Sequence, residues 1–346
     1  GLVYSLMNSA NISDHPKPEE YSKKQAEDLL KQYSTAEEYS EAPNVIAVMC
    51  EAFTDIQKWG NVKFSGENPY EYYNYLKEKS CYGELFVPQF GGGTAMTEFE
   101  FLTGNNTSSM SPSMPTAYKT LINSDVYSVA WVFKEMGYET SSVHLGDPWF
   151  YNRQNVYPRL GFDSFKSKVD MPADTPFKGA FILDSVSADT IIDGYNKHLK
   201  ENPDKGYFNF TVTIQNHGPY YKNTLFYDKE YISKDIGFTD EQYHIINNYL
   251  GGIKDSDNML KTLHEYINTL DEPTVLVFFG DHLPCLDDGE LIFGMLGLDI
   301  KSNTYQAYEN RYSTDYIIVG NEAFYKSTQP KISGKQDIIS SNYLAV

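Results

Sequence analysis

The stretch PNVIAVMCEAF, residues 43–53, contains an unbroken run of β-branched and apolar residues directly after a proline. Such a run predicts a strand that is buried on both faces, as in parallel sheets that helices cover on both sides. A second run of the same kind, PTVLVFFGDH, occupies residues 273–282. Both runs therefore predict interior strands of one sheet, and each is followed at once by titratable residues.

Helical and strand-like segments alternate around these two runs. Residues 69–81 and 97–102 have helical patterns, residues 128–147 have a helix, turn and strand rhythm, and residues 206–218 include another strand. Residues 241–270 predict a long helix that Gly251 and Gly252 interrupt. Because strands alternating with helices imply a parallel arrangement, we predict an α/β fold with a mainly parallel central sheet sandwiched by helices. Short strand-like pieces after about residue 295 suggest a small C-terminal antiparallel subdomain.

The predicted domain organisation has three parts. Residues 1–42 are polar, and the charged segment at 15–34 predicts a solvated helix that leads into a linker. Residues 43–295 form the main domain, and residues 296–346 form the C-terminal subdomain. Since the chain begins without methionine, we expect it to be a piece of a longer protein.

Charge and cysteine content exclude several classes of protein. The 47 acidic residues against 28 basic ones give a formal net charge of -19, which argues against nucleic-acid partners and unaided adhesion to anionic membranes. The three cysteines have no CxxC spacing and indicate neither a zinc ribbon nor a disulfide framework. No apolar run reaches the roughly 18 residues that a membrane span requires.

Titratable side chains stand at the ends of four predicted strands. Glu51 follows the first, His144 and His217 follow two others, and Asp281 and His282 follow the last. In open parallel sheets, ligands bind beyond the carboxyl ends of the strands. We therefore predict that these five side chains converge on one crevice.

The pair Asp281 and His282 has the chemistry of a metal site. A carboxylate and an imidazole suit Mn²⁺ or Zn²⁺ better than Ca²⁺, which prefers oxygen ligands alone. Gly280 allows a sharp turn there, and Glu51 is costly to desolvate unless it is paired or binds metal. The alternatives are a helix-capping aspartate followed by a surface histidine, and a glutamate that faces solvent.

The stretch FGGGTAMTEFEFLTGN, residues 90–105, places three glycines before Thr94. The glycines allow a close approach of the backbone to a ligand, and the helix that Thr94 opens attracts anions at its start. A threonine hydroxyl in that position, bound to a divalent metal, can act as a nucleophile. A flexible loop is the alternative, and no Gly-Lys-Ser/Thr follows that would make it a P-loop.

The segment HLGDPWFYNRQNVY, residues 144–157, concentrates groups that recognise phosphates and polyols. The fork of Arg153 matches phosphate oxygens, and Trp149 or Tyr151 can form the floor under a small polyol. The alternative is a polar loop with aromatic anchors. His217, in QNHGPYY, is either a catalytic group or a structural hydrogen-bonding group.

Five motifs in this order resemble the extracellular catalytic domain of lipoteichoic acid synthase and related phosphoglycerol transferases, in the alkaline phosphatase and sulfatase superfamily. They span residues 44 to about 285 and read NVIAVMCEAF, GGGTAMTEF, HLGDPWFYNRQNVYPRLGFDSF, NHGPY and FFGDH.

The resemblance implies a metal-bound threonine nucleophile at Thr94. It implies that Glu51, Asp281 and His282 are the other ligands of a divalent metal, usually Mn²⁺, with Mg²⁺ or Zn²⁺ also suitable. Its phosphoglycerol-binding set falls on His144, Arg153 and His217. The family's Trp-Asn-Arg triplet appears here as residues 151–153, Tyr-Asn-Arg, with Trp149 two places earlier.

The resemblance further implies a transferase that moves glycerol phosphate from a phosphatidylglycerol-like lipid to a glycolipid or teichoic acid acceptor through a phosphothreonine-type intermediate. We expect His217 to orient the substrate and protonate the leaving group. We also expect a monomeric catalytic domain, on the extracellular face of a Gram-positive cell membrane, behind a multi-helix anchor that precedes this sequence.

Three alternatives accompany this hypothesis. The same nucleophile could transfer phosphoethanolamine or hydrolyse a phosphodiester, and an ethanolamine headgroup would favour acidic or aromatic contacts. A non-catalytic domain that senses lipid headgroups is an alternative of another class. Sulfatases place a modified Cys or Ser before Pro and Arg, and the segment TAMTE lacks both, which argues against sulfate ester hydrolysis.

Overall fold

The computed structural model describes residues 22–25, 28, 42–109, 116–227, 229–327 and 333–345. The predicted linker at 1–42 therefore lies outside the described residues, apart from residues 22–25, 28 and 42. In the described ranges, no helix is both long enough and apolar enough to cross a membrane.

The strands follow the predicted apolar runs. Their bounds are β1 Asn44–Cys50, β2 Cys81–Phe86, β3 Glu139–His144, β4 Ser164–Ser167, β5 Phe177–Lys178, β6 Phe181–Ile182, β7 Tyr207–Val212, β8 Thr274–Gly280, β9 Ser313–Gly320, β10 Gly334–Lys335 and β11 Ile339–Ser340. The strand predicted in residues 206–218 ends at Val212, so His217 lies in the loop that follows β7 rather than at the strand end.

One sheet contains nearly all of these strands. Its order is β10-β2-β9-β8-β1-β7-β3-β4, with β11 also paired to β2, while β5 and β6 form a separate hairpin. Strands β8, β1, β7, β3 and β4 are parallel neighbours, and β9 runs antiparallel between β8 and β2. The predicted α/β fold with a mainly parallel sheet is confirmed. The C-terminal segment contributes β9 to this sheet, and the proposed division into domains stays a prediction.

Helices cover both faces of the sheet. Their bounds are α1 Glu71–Lys77, α2 Thr94–Thr103, α3 Ala117–Thr120, α4 Val129–Glu135, α5 Arg153–Arg159, α6 Asp184–Glu201, α7 Asp240–Ile267, α8 Leu291–Met295, α9 Tyr305–Arg311 and α10 Glu322–Ser327. Residues of α1, α6, α7 and α8 pack in one core with the sheet, and residues of α2, α3, α4 and α5 pack in the other.

The packing of strand β1 explains why its sequence is apolar from Val45 to Cys50. Ile46 and Val48 belong to the core beside α6 and α7, whereas Ala47 and Met49 belong to the core beside α2. Successive side chains of a strand point to opposite faces, so a strand with a helical layer on each side needs apolar residues at every position.

Helix α7 is continuous through Gly251 and Gly252, so the predicted interruption is wrong. A Cβ atom at Gly251 would lie 2.2 Å from the ring of Tyr227, and one at Gly252 would lie 2.0 Å from Oδ1 of Asn216. The two glycines therefore allow the loop after β7 to approach the helix closely, and they cost the helix some stability relative to alanine.

Candidate functional site

Three titratable side chains meet at the carboxyl ends of β1 and β8. These neighbouring strands pair Cys50 with Gly280, so the residues that follow, Glu51 and Asp281, emerge side by side. One possible ligand atom from each of Glu51, Asp281 and His282 lies within 4.8 Å of the others. All three residues are at most 3% exposed. They are the residues that the sequence predicts as metal ligands.

Oδ2 of Asp281 and Nε2 of His282 are buried, lie 3.1 Å apart and have no hydrogen-bond partner. Oδ1 of Asp281 accepts the backbone N–H groups of Ala52 at 2.8 Å and of His282 at 2.9 Å. Nδ1 of His282 donates to the carbonyl of Leu283 at 2.9 Å, which leaves a lone pair on Nε2. Because buried polar atoms without partners are costly, their convergence fits a bound cation.

The electrostatics of the cluster also favour a cation. Burial and the nearby charge of Asp281 raise the pKa of Glu51 well above its usual value, while Arg153 acts in the opposite direction. The two carboxylates therefore repel each other in a dry setting. A divalent ion, with carboxylate and imidazole donors around it, would remove that repulsion.

The backbone around the cluster is shaped for close approach. Ala52 has a φ of 54°, a left-handed conformation that is uncommon outside glycine, and its N–H points at Asp281. A Cβ atom at Gly280 would lie 1.8 Å from the carbonyl oxygen of Phe53. Gly280 is therefore required for space rather than for a left-handed turn.

The glycine run brings α2 against this cluster. Gly91, Gly92 and Gly93 all have positive φ, and Gly93 stands directly before Thr94, the first residue of the helix. The N–H of Gly91 donates to the carbonyl of Leu283 at 3.0 Å, and Oγ1 of Thr97 donates to the carbonyl of Asp281 at 2.8 Å. Both bonds join the loop and the first turn of α2 to the segment that carries Asp281 and His282.

The guanidinium of Arg153 is 1% exposed and pairs with Glu98. The ring of Tyr151 lies 5.1 Å from its Cζ atom, and its Nη1 has no partner. Trp149 is 64% exposed. Of the two aromatic residues predicted to bind substrate, Tyr151 thus contacts Arg153, and Trp149 stands at the surface.

His144 and His217 each have one ring nitrogen engaged. Nδ1 of His144 donates to the carbonyl of Val212 at 3.0 Å, and Nδ1 of His217 donates to the carbonyl of Gly218 at 2.6 Å. Burial, with a further contribution from Arg153, holds the pKa of His144 well below its usual value. His144 is therefore neutral near pH 7, with the lone pair of Nε2 available as an acceptor.

Two cavities adjoin at His217. One of about 690 Å³ has Glu51 and His282 in its wall, and another of about 360 Å³ has His144 and Trp149 in its wall. His217 lines both cavities. Gly91 and Gly92, which precede the helix that Thr94 opens, also line the larger cavity. Thr94 and Asp281 are buried, and their membership of one substrate site stays a prediction.

Sequence analysis missed Glu98 and Tyr220. Glu98 holds Arg153, and Tyr220 is a partly buried neighbour of Glu51 and Asp281 that lines the larger cavity. Glu98 had a weak signal in the sequence, because it is one of two acidic residues, with Glu100, among the apolar residues of the helix that Thr94 opens. Tyr220 had none beyond its place in QNHGPYY.

Several known proteins are similar in sequence to this chain. The sequence model of the family described as Sulfatase matches residues 43–344. A putative cyclic beta-1,2-glucan modification protein of Rhizobium meliloti is 35% identical over 245 residues, which are 71% of this chain and 36% of that protein. A lipoteichoic acid synthase-like protein of Bacillus subtilis is 26% identical over 227 residues, 64% of this chain and 34% of that protein. The chain thus spans about a third of the length of these curated relatives.

Two solved structures share the fold. A Streptococcus pyogenes phosphoglycerol transferase in complex with sn-glycerol-1-phosphate has a TM-score of 0.74 at 23% identity, covering 94% of this chain and 81% of that one. A lipoteichoic acid synthase from Listeria monocytogenes has a TM-score of 0.66 at 19% identity, covering 87% of this chain and 69% of that one.

Proposed function

This chain belongs to the sulfatase family, and we propose that within it the chain is the catalytic part of a metal-dependent phosphoglycerol transferase. The family resemblance seen in the motifs is confirmed by this membership. The observation that carries the proposal is the buried cluster of Glu51, Asp281 and His282, with two unpartnered ligand atoms, joined by hydrogen bonds to the helix that Thr94 opens. The fold that the chain shares with a phosphoglycerol transferase supports it.

The donor set fits a divalent cation held by Glu51, Asp281 and His282, with Thr94 beside it, and we propose Mn²⁺ over Mg²⁺ or Zn²⁺. When bound, the ion would neutralise the non-bridging phosphate oxygens and lower the pKa of the threonine hydroxyl.

The reaction is a double displacement on phosphorus. Thr94 Oγ1 releases its proton to solvent and forms a bond to the phosphorus of a phosphatidylglycerol-like donor, and the bond from phosphorus to the diacylglycerol oxygen breaks. His217 gives a proton from Nε2 to that oxygen, and the phosphoglycerol group stays on Thr94. An acceptor hydroxyl then gives its proton back to Nε2 of His217 and attacks the same phosphorus, and Thr94 Oγ1 leaves and regains a proton from solvent.

His144 and Trp149, in the wall of the smaller cavity, together with Arg153 and Tyr151, would hold the headgroup. Nε2 of neutral His144 is placed to accept a hydrogen bond from a glycerol hydroxyl, and Nη1 of Arg153 to donate one to a phosphate oxygen. Trp149 and Tyr151 supply aromatic surface for the polyol. In a chain of net charge -19, the metal and Arg153 would provide the local attraction for an anionic donor.

We propose a glycolipid or teichoic acid acceptor, and the glycan named in the description of one relative extends this class to carbohydrate hydroxyls. We also propose that the domain works as a monomer on the extracellular face of the membrane, tethered by a region outside this sequence. The Gram-positive source stays a prediction, since the relatives include proteins of both Rhizobium and Bacillus.

Mass spectrometry of the protein incubated with phosphatidylglycerol and Mn²⁺ tests this function. We expect an adduct of phosphoglycerol mass on Thr94 that is lost in Thr94→Ala and in chelator. Thr103→Ala is the matched control, because Thr103 stands at the opposite end of the same helix, where its hydroxyl donates to the carbonyl of Phe99 at 2.7 Å and accepts from the N–H of Asn105 at 3.3 Å.

The rival functions give different outcomes in the same experiment. An adduct that forms only from phosphatidylethanolamine would establish phosphoethanolamine transfer and overturn the headgroup assignment. Release of free glycerol phosphate that added acceptors do not divert would indicate a phosphodiesterase. Stoichiometric metal binding without any adduct from either lipid would favour the headgroup-sensing domain.

A further inference from the structure

The guanidinium of Arg153 is fixed on one edge by a buried carboxylate. Its Nε lies 3.1 Å from Oε1 and 3.2 Å from Oε2 of Glu98, and its Nη2 also donates to Oε1. Glu98 is 0% exposed and Arg153 is 1% exposed. A two-point pair between planar groups sets orientation as well as charge.

Glu98 has a second hydrogen-bond partner besides Arg153. The hydroxyl of Tyr157 donates to Oε2 of Glu98 at 2.7 Å. Glu98 also stands four residues after Thr94 in α2, so both side chains lie on the same face of that helix, one turn apart. The ring of Tyr151 lies 5.1 Å from the Cζ atom of Arg153 and packs against the guanidinium. The carboxylate therefore links the orientation of Arg153 to the helix that carries the proposed nucleophile.

The third nitrogen of the guanidinium, Nη1, takes no part in the pair with Glu98. Nη1 of Arg153 is buried and has no hydrogen-bond partner, a costly condition for a charged donor. The charge of Arg153 acts on Glu51 in the metal cluster and on His144 in the smaller cavity. The guanidinium is thus within electrostatic range of both groups.

We propose that Glu98 is a positioning residue, which occupies Nε and Nη2 of Arg153 so that Nη1 is directed at the phosphate of the substrate. This inference rests on the proposed function. Because Glu98 also balances the charge of Arg153, phosphate binding depends on a directed hydrogen bond rather than on an unpaired positive charge. Substitution of Glu98 should therefore lower the rate even though the pocket becomes more positive.

The second buried glutamate of α2 provides a matched control. Glu100 is 2% exposed, but its carboxylate accepts from the backbone N–H and hydroxyl of Thr107, at 2.7 and 2.8 Å, and from Ser341. Glu100→Gln thus changes a buried carboxylate on the same helix without touching Arg153. Tyr157→Phe removes only the hydroxyl that holds Glu98.

The test measures kcat and KM for phosphoglycerol transfer, and the affinity for sn-glycerol-1-phosphate by calorimetry with Mn²⁺ present, in all variants. For Glu98→Gln we expect a roughly 100-fold lower kcat/KM, the size of effect that a small misplacement of a catalytic contact produces. Most of the loss should appear in kcat, with Mn²⁺ stoichiometry unchanged. Tyr157→Phe should show a smaller loss in the same direction, and folded Glu100→Gln should match the wild type.

Two outcomes would overturn the inference. Equal losses in Glu98→Gln and Glu100→Gln would mean that Glu98 only supports the fold. Tighter binding of sn-glycerol-1-phosphate by Glu98→Gln with full kcat would mean that Glu98 merely weakens the charge of Arg153. If the wild type transfers nothing, the proposed function fails, and the calorimetry alone tests the inference. In that case Glu98→Gln must bind sn-glycerol-1-phosphate more weakly than Glu100→Gln does. Equal affinities of the two variants would overturn the inference.

Discussion

Replacing Asp281 with asparagine should remove the metal site without disturbing the backbone. Oδ1 of Asp281 accepts the N–H groups of Ala52 and His282 at 2.8 and 2.9 Å, while Oδ2 accepts no hydrogen bond and lies 3.1 Å from Nε2 of His282. Asparagine can keep the first oxygen in place. It turns the second into an amino group, which donates hydrogen bonds and cannot bind a cation.

The expected magnitude follows from linkage between binding and folding. A metal present at 100 times its Kd stabilises the folded state by about 2.7 kcal/mol. If the lost carboxylate weakens binding 100-fold, roughly 0.4 kcal/mol of that stabilisation remains. At about 2 °C per kcal/mol for a large domain, the Tm gain on adding metal should fall from roughly 5 °C to about 1 °C.

Without metal, the order of stabilities should change. The repulsion between buried Glu51 and Asp281, which contributes to the raised pKa of Glu51, is absent in Asp281→Asn. In chelator, we therefore expect the variant to melt at or above the wild-type temperature. In saturating Mn²⁺ it should melt below the wild type, so the two melting curves exchange places.

The assay is thermal unfolding by fluorescence in Mn²⁺ and in chelator, together with metal analysis of the dialysed protein. Asp315→Asn is the control, because Asp315 is a buried carboxylate that accepts from Thr54 and the N–H of Asp55 and pairs with Lys58. It should lower Tm equally in both conditions. One Mn²⁺ bound per chain of Asp281→Asn, with an undiminished Tm gain, would refute the assignment of Asp281 as a ligand.

Three further substitutions test other parts of the site. In Gly146→Ala, the new Cβ would lie 2.4 Å from Nε2 of His144. The rate of transfer should therefore fall at least tenfold, while metal binding persists. An unchanged rate would show that His144 does not bind the substrate. In Gly252→Ala, the Cβ would lie 2.0 Å from Oδ1 of Asn216, and urea unfolding should show a loss of about 1–3 kcal/mol from overpacking; a more stable variant would contradict the packing. Burial raises the pKa of Asp184 to about 7, so the folded state keeps a proton that the unfolded chain has already released. The free energy of unfolding of the wild type should therefore decrease as pH rises from about 4 to 7, by up to roughly 1.4 kcal/mol per pH unit. Asp184→Asn should lack this slope. Parallel pH profiles of the two proteins would show that the pKa of Asp184 is not raised.

The fold could be predicted because a sheet covered on both faces leaves a clear pattern in the sequence. Ile46 and Ala47 face opposite cores, so no polar residue interrupts β1, and the same holds for β8. The glycine pair in α7 misled the prediction because glycine usually weakens a helix. Its reason lies elsewhere in the chain, at Tyr227 and Asn216, and a pattern read along one helix cannot show which side chain approaches it.

The meeting of Glu51 and Asp281 at one edge of the sheet could be predicted for a related reason. Glu51 and Asp281 stand immediately after two parallel strands, and parallel strands end at one edge of a sheet. The position of His217 was less accurate, since β7 ends at Val212 and the residues after it turn back through a loop. Polar residues that follow strands directly are thus placed by topology, whereas those in longer loops are placed by contacts that the sequence does not display.

The residues of α2 mark the limit of this kind of reasoning. The first nine residues of this ten-residue helix are buried, among them Glu98 and Glu100, and a buried carboxylate needs a partner. Because the two glutamates are two positions apart, they lie on nearly opposite sides of the helix, and each meets a different part of the chain. Two buried acids in one helix therefore indicate that two segments, far apart in the sequence, contact this helix. Only one of them, the segment of Arg153, lies beside the metal cluster, which is why the pair Glu98 and Glu100 can separate a role in the reaction from a role in the fold.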